Sequence, residues 1–124
     1  VFKYLKKFLA KYNQYFDLPI QDKFVKTCWL AFPLIVKKNN FFNRNDLQVY
    51  LEKNQIQTRV IFSGNILKQP LMKDTIYTKI KNCDIESNRV MQNGILIGCH
   101  HGLAASDLKY ITDIFSKFLK AKLK

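Results

Sequence analysis

An α+β fold, a small sheet of about three strands packed by helices, is what this sequence predicts, and three observations predict it. Short β-rich runs alternate with helical patterns in the order strand, helix, strand, helix, strand, helix, behind one leading helix. The length of 124 residues, with 48% hydrophobic and 14% aromatic content, suits a single core and therefore one domain over residues 1–124. No internal repeat or low-complexity tract argues for a solenoid or a disordered chain.

Each element has its own reason. Val1, Leu5, Phe8, Leu9 and Tyr12 recur at helical spacing with Lys3, Lys6, Lys7 and Lys11 between them, which makes residues 1–12 an amphipathic helix suited to packing against a neighbouring domain. Residues 13–26 read as a connection. Cys28 to Val36 is a nearly unbroken apolar run of strand length, and Pro33 within it removes a ladder donor, so this strand is expected at an edge or with a bend. Leu47, Tyr50 and Leu51 mark a short helix that Asn45 can cap with Gln48 three residues on, ending near Asn54.

Ile56 to Phe62 is the second strand. Alternation along it sets Thr58, Val60 and Phe62 on one face and Gln57, Arg59 and Ile61 on the other. Ser63-Gly64-Asn65 breaks it, and the stretch around Pro70 looks irregular. A helix follows Asp84 and ends at Asn93-Gly94, where the glycine can close it in the left-handed conformation. Ile95-Leu96-Ile97 is the third strand. The last helix starts at Ser106 as N-cap with Asp107 in its first turn, and buries Leu108, Ile111, Ile114, Phe115, Phe118 and Leu119.

The formal charge is +12, from 21 basic and 9 acidic residues, and would ordinarily raise nucleic acid as a partner. Here 18 of the cations are lysines and only three are arginines, and the lysines are spread along the chain apart from a tail of Lys117, Lys120, Lys122 and Lys124. Base-reading surfaces favour arginine. Solvated lysine explains the charge, and an autonomous basic nucleic-acid-binding module is the alternative to the reading developed below. No apolar run reaches the ~20 residues of a membrane span. Cys28, Cys83 and Cys99 are odd in number and widely spaced, which fits free thiols in a reducing cytoplasm. The chain opens on Val1 within a helical pattern, as expected of a piece of a longer protein.

Reaction centres are harder to find. Cys99 adjoins His100 and His101, but neighbours at a strand end point opposite ways, so adjacency does not make a nucleophile and its base. The same three residues lack the separated pairs of a zinc site, so no metal is expected. Gly98 and Gly102 have neither the Walker lysine nor the dinucleotide spacing, and no pair of carboxylates forms an acid-base dyad. Arg59 is the exception worth pursuing. A guanidinium in a half-buried strand needs an anion to offset its desolvation, and with few acids in the chain that anion is expected from outside.

Trp29-Leu30-Ala31-Phe32-Pro33, Gln57-Thr58-Arg59, Phe62-Ser63-Gly64-Asn65, Gln69-Pro70 and Ile97-Gly98-Cys99-His100-His101-Gly102-Leu103 stand in this order before an apolar final helix. Together they resemble the carboxy-terminal small domain of the DegT/DnrJ/StrS sugar aminotransferase family, on its lipopolysaccharide-biosynthesis branch with the keto-deoxysugar 3-dehydratases. One departure is Thr27-Cys28-Trp29-Leu30-Ala31, where that branch more often shows a Ser-Trp-Phe-Gly pattern. The three cysteines do not compose the iron-sulfur pattern of some of its dehydratases.

The resemblance implies the small domain of a fold-type-I enzyme using pyridoxal or pyridoxamine phosphate (PLP or PMP), homodimeric when whole. An upstream large domain would hold the cofactor, leaving this part alone without bound cofactor and inactive. The substrate would be a nucleotide-linked keto sugar of lipopolysaccharide or deoxysugar biosynthesis, modified by amino transfer or by loss of a hydroxyl. The lysine of the aminotransferases, or the histidine that replaces it in the dehydratases, is not in this sequence. The resemblance assigns no catalytic residue here and makes five residues substrate-binding: Arg59 to clamp a phosphate with its forked donors, Asn65 and Gln69 to hydrogen-bond sugar or nucleotide, and His100 and His101 to line the domain cleft.

Overall fold

The structure, a computed structural model, describes residues 1–123. Lys124 of the basic tail lies outside the described residues. The leading helix α1 covers Phe2–Leu9 and tightens into a 3-10 turn over Ala10–Tyr12. Its apolar stripe is used within this domain: Leu5 and Leu9, one turn apart, are buried in the core, and Phe2 stacks on Trp29 with ring centroids 4.5 Å apart.

The sheet has four strands rather than about three. The extra strand β1 is only Phe16–Asp17, inside the stretch read as a connection, and pairs antiparallel with β2 (Ala31–Val36) through Phe16 opposite Val36. Two residues are too few to show alternation, so pattern could not reveal it. Strand β2 alternates cleanly, with Phe32, Leu34 and Val36 buried and Ala31, Pro33 and Ile35 half-buried. Helix α2 (Arg44–Lys53) follows, capped by Asn43 and Asp46 rather than by Asn45 and Gln48. Asn43 accepts from the Asp46 backbone N–H at 3.0 Å, and Asp46 accepts from the Asn43 N–H at 3.0 Å.

Strand β3 is Thr58–Arg59, much shorter than the expected 56–62. Ile61 lies beyond the paired residues yet stays beside Gly94, the residue the register would set opposite it, with its Cδ1 2.7 Å from where a Gly94 Cβ would stand. Two 3-10 turns, Ile66–Lys68 and Pro70–Asp74, precede α3 (Ile85–Asn93), β4 (Gly94–Gly98) and the long α4 (Ala105–Lys122). Gly94 does not close α3 in the left-handed conformation; at φ −83° and ψ 139° it is extended and already belongs to β4. Glycine is needed there for closeness, since a Cβ would also lie 2.5 Å from the Val90 carbonyl oxygen. Helix α4 begins a residue before Ser106, with Ala104 at the cap position and the Asp107 carboxylate accepting from the Ala104 N–H at 2.8 Å.

All pairings are antiparallel, in the order β1-β2-β4-β3. Strand β2 is therefore interior, contrary to the edge position expected from Pro33. The proline is tolerated because β1 reaches only Ile35 and Val36, leaving Pro33 without a neighbour on that side. Phe32, Ile97 and Thr58 stand opposite one another on one face, and Pro33, Leu96 and Arg59 on the other. The first face, with Leu34, Val36 and Ile95, forms the core with Leu5 and Leu9 of α1, Leu47 and Leu51 of α2, and Ile111, Ile114, Phe115, Phe118 and Leu119 of α4. Full burial of such a side chain is worth about 1.5–3 kcal/mol, so these three helices hold the sheet. The second face is left partly open, and it carries Arg59.

Candidate functional site

A groove of about 500 Å³ runs over the open ends of β2, β3 and β4 and reaches the first turns of α4. Leu30 and Ala31 enter from β2, Gln55, Ile56, Gln57 and Arg59 from the α2–β3 connection and β3, Leu96, Ile97 and Gly98 from β4, and His100, Leu103, Asp107, Tyr110 and Ile111 from the approach to and start of α4. Its walls are mostly apolar, and few polar groups converge on it, as in sites that bind small organic molecules.

Two local devices set the floor of this groove. Helix α2 ends in a Schellman motif: the Ile56 N–H donates to the Leu51 carbonyl at 3.0 Å and the Gln55 N–H to the Glu52 carbonyl at 3.0 Å, with Gln55 left-handed at φ 57°. The Glu52 carboxylate then accepts from both the backbone N–H and the hydroxyl of buried Thr58, each at 2.6 Å. Those two bonds, with a smaller contribution from the nearby Arg59 charge, hold the Glu52 carboxyl below its usual range. Thr58 is thus locked inward, and Arg59, the next residue along a strand, is turned to the opposite face.

Arg59 is exposed rather than half-buried, so the desolvation expected of it in the free domain does not arise. Among the described residues it enters no ion pair. His100 shares the groove. Its Nδ1 accepts from the Gly102 N–H at 3.2 Å, which leaves the hydrogen of a neutral ring on Nε2 as a donor. A Cβ on Gly102 would stand 3.1 Å from Nδ1, so the glycine lets the backbone come this close.

The other three expected residues lie elsewhere. Asn65 is 1% exposed: its carbonyl oxygen accepts from the Leu67 N–H at 2.9 Å, and its amide donates to Asn88 Oδ1 at 2.8 Å and more weakly to Asp84 Oδ2 at 3.4 Å. Its amide is committed inside the domain. Gln69 donates to the Ser63 carbonyl at 3.0 Å, and His101 is exposed; neither lines the groove. Conversely, Tyr110 was not singled out from sequence. Its hydroxyl donates to the Asn54 carbonyl at 3.1 Å and fastens α4 across the end of α2. Gln57 was at least placed on the face of Arg59 by strand alternation, and it lines the groove.

Cys99 is buried, and burial pushes its thiol above the usual range, the reverse of an activated nucleophile. Among the described residues no group of three or more His, Cys, Asp or Glu could hold a metal ion, and no helix is long and apolar enough to cross a membrane.

Comparison with known proteins bears on this geometry. The profile of the DegT/DnrJ/EryC1/StrS aminotransferase family matches residues 1–116. The lipopolysaccharide biosynthesis protein RfbH of Salmonella typhimurium is 29% identical over 117 residues, 94% of this chain and 26% of that protein. The GDP-4-keto-6-deoxy-D-mannose 3-dehydratase of Escherichia coli O55:H7 is 28% identical over 108 residues, 86% of this chain and 28% of its own length. A solved E. coli GDP-4-keto-6-deoxy-D-mannose-3-dehydratase with bound hydrated PLP superposes with a TM-score of 0.72 at 24% identity, over 90% of this chain and 29% of that one, and so shows a shared fold. The chain spans little more than a quarter of the length of these relatives.

Proposed function

Because this chain belongs to the DegT/DnrJ/EryC1/StrS aminotransferase family, we propose that it is the carboxy-terminal domain of a longer PLP- or PMP-dependent enzyme acting on a nucleotide-linked keto sugar in lipopolysaccharide or deoxysugar biosynthesis. Removal of the sugar 3-hydroxyl is the reaction favoured, because the relative described by its reaction is a 3-dehydratase. The domain's part is substrate capture in the groove. Arg59 clamps a phosphate oxygen pair and His100 donates from Nε2 to a sugar or phosphate oxygen, while Leu30, Leu96 and Leu103 give the ligand's apolar surface a place to lie. The whole enzyme works as a cytoplasmic homodimer, and the family match supersedes the autonomous nucleic-acid module.

The groove does not fit the cofactor itself. Its described lining has one guanidinium and one imidazole, no lysine, and a single carboxylate, Asp107, that already accepts from the Ala104 N–H. Holding PLP or PMP therefore falls to the portion outside these 124 residues, and no chemical step is assigned to side chains here.

The observation that carries the substrate reading is an arginine displayed in a largely apolar groove without an acid partner among the described residues. Arg59→Ala in the full-length enzyme tests it. Loss of charge-assisted hydrogen bonds worth about 1.5–3 kcal/mol should weaken nucleotide-sugar binding by about tenfold to about a hundredfold. Affinity within twofold of the unaltered enzyme in an equilibrium titration would remove the phosphate clamp.

A further inference from the structure

Very little sheet holds Arg59 in place. Strand β3 is two residues long and lies at the edge of the sheet, with Thr58 opposite Ile97 and Arg59 opposite Leu96 as its pairs. Beyond it Val60 and Phe62 are exposed and unpaired with β4. So short an edge pairing frays when nothing else secures it. A second anchor comes from α2. Glu52 Oε1 accepts from both the N–H and the hydroxyl of Thr58, each at 2.6 Å, and Thr58 is only 6% exposed. Among the described residues no further strand lies on that side of β3, so loss of the Glu52 carboxylate strands two donors on a buried residue. The end of α2 is fixed in turn by the Tyr110 hydroxyl of α4, which donates to the Asn54 carbonyl at 3.1 Å. Neither Glu52 nor Thr58 lines the groove, and their route to it is the backbone of Arg59.

Resting on the reading of Arg59 as a phosphate clamp, we propose that Glu52 is a positioning residue for substrate capture: through Thr58 it holds the edge strand that presents the Arg59 guanidinium to a phosphate in the groove. With Glu52 in place the backbone carrying Arg59 is secured from both sides, by β4 on one and by α2 on the other. The forked donors then meet the ligand already placed. Without it, binding must first order β3, and that ordering is subtracted from affinity.

A double-mutant cycle between positions 52 and 59 of the full-length enzyme tests this, read by equilibrium titration with whichever of GDP, CDP, UDP and dTDP the unaltered enzyme binds most tightly. Glu52→Ala should weaken that nucleotide about three- to tenfold, and the loss should vanish in the Arg59→Ala background, because position 52 acts through the guanidinium. Glu52→Gln, whose amide oxygen still accepts from Thr58, should lose less. A merely structural role lowers Tm alike in both backgrounds and produces no such dependence on Arg59. Should Glu52→Ala not fold, Thr58→Val takes its place: it removes the hydroxyl bond, leaves both charges, and should show the same Arg59-dependent loss, restored by Thr58→Ser. A loss that persists in the Arg59→Ala background, an affinity unchanged by these substitutions, or one raised by Glu52→Ala as by removal of a competing anion, would overturn the proposal. If Arg59→Ala alone leaves affinity unchanged, or none of the four nucleotides binds, the phosphate reading falls and the positioning role with it. A weakened Arg59→Ala with an additive Glu52→Ala removes the positioning role alone.

Discussion

Gln55 occupies a backbone position made for glycine, and replacing it should stabilise the domain. It sits at the left-handed residue of the Schellman motif that ends α2, with φ 57° and both motif hydrogen bonds at 3.0 Å. A side chain with a Cβ costs roughly 1–2 kcal/mol in that conformation, while glycine forfeits about 0.5–1 kcal/mol more chain entropy on folding. The net gain for Gln55→Gly is then about 0.5–1 kcal/mol. With an unfolding entropy of about 2.1 cal/mol/K per residue, a chain of this length has roughly 0.26 kcal/mol/K, so Tm should rise by about 2–4 °C. Gln55→Val should lower it, because a β-branched side chain suits the left-handed region worst. Thermal unfolding followed by far-UV circular dichroism reads both. If Gln55→Gly melts at or below the unaltered temperature while Gln55→Val does not fall, the αL cost assigned to this residue is mistaken.

Gly64 has φ 68°, and a Cβ there would stand 2.8 Å from the Met91 Cγ, so Gly64→Ala should destabilise by about 1–2 kcal/mol from backbone conformation alone; denaturant melts should show it, with Met91→Ala relieving only the contact part. Asp84 is held below the usual carboxylate range, first by its hydrogen bond from Lys79. Because its folded pKa is depressed, the stabilisation is full above the unfolded value of about 3.9 and is lost as pH falls through the folded value; carboxyl carbon NMR should give a midpoint below about 3.9, and Asp84→Asn should remove the acid-dependent loosening of residues 63–81 in limited proteolysis. Among the thiols, Cys28 and Cys83 are exposed whereas Cys99 is buried with a raised pKa, so brief alkylation of the native protein near pH 8 should add two groups, and a third only on unfolding.

The elements that could be read from sequence were those whose burial is periodic. The alternation of β2 and the stripe of α4 show directly which side meets the core, and the family resemblance rested on segments that line the groove or lie between β3 and α3. What escaped was fixed by contacts far apart in sequence. Strand β1 is two residues long and exists because Phe16 finds Val36. The closeness of Ile61 to Gly94 joins residues 33 positions apart. Asn65 has the right chemistry for a sugar, yet its partners Asp84 and Asn88 lie 19 and 23 residues away and take its amide inward. Tyr110 lies outside the buried stripe of α4, so only its bond to the Asn54 carbonyl reveals what it does.

Arg59 presents its charge differently from the expectation. A half-buried guanidinium would demand an anion; exposure removes that demand, since water solvates a free guanidinium at no cost to folding. Cover restores the demand. A ligand laid against Leu30 and Leu96, or a neighbouring portion of polypeptide closing the groove, would strip water from Arg59, and burial of an uncompensated charge is expensive. Glu52, the nearby acid, holds the Thr58 N–H and hydroxyl on Oε1 at 2.6 Å and makes no ion pair with Arg59 among the described residues. Closure therefore favours a ligand that brings its own anion, so Glu52→Gln should weaken β3 without creating or removing the need for a phosphate. A full-length Glu52→Gln enzyme whose preference for the nucleotide-linked over the uncharged sugar rose well above that of the unaltered enzyme would show that Glu52, not a phosphate, had been the counter-charge.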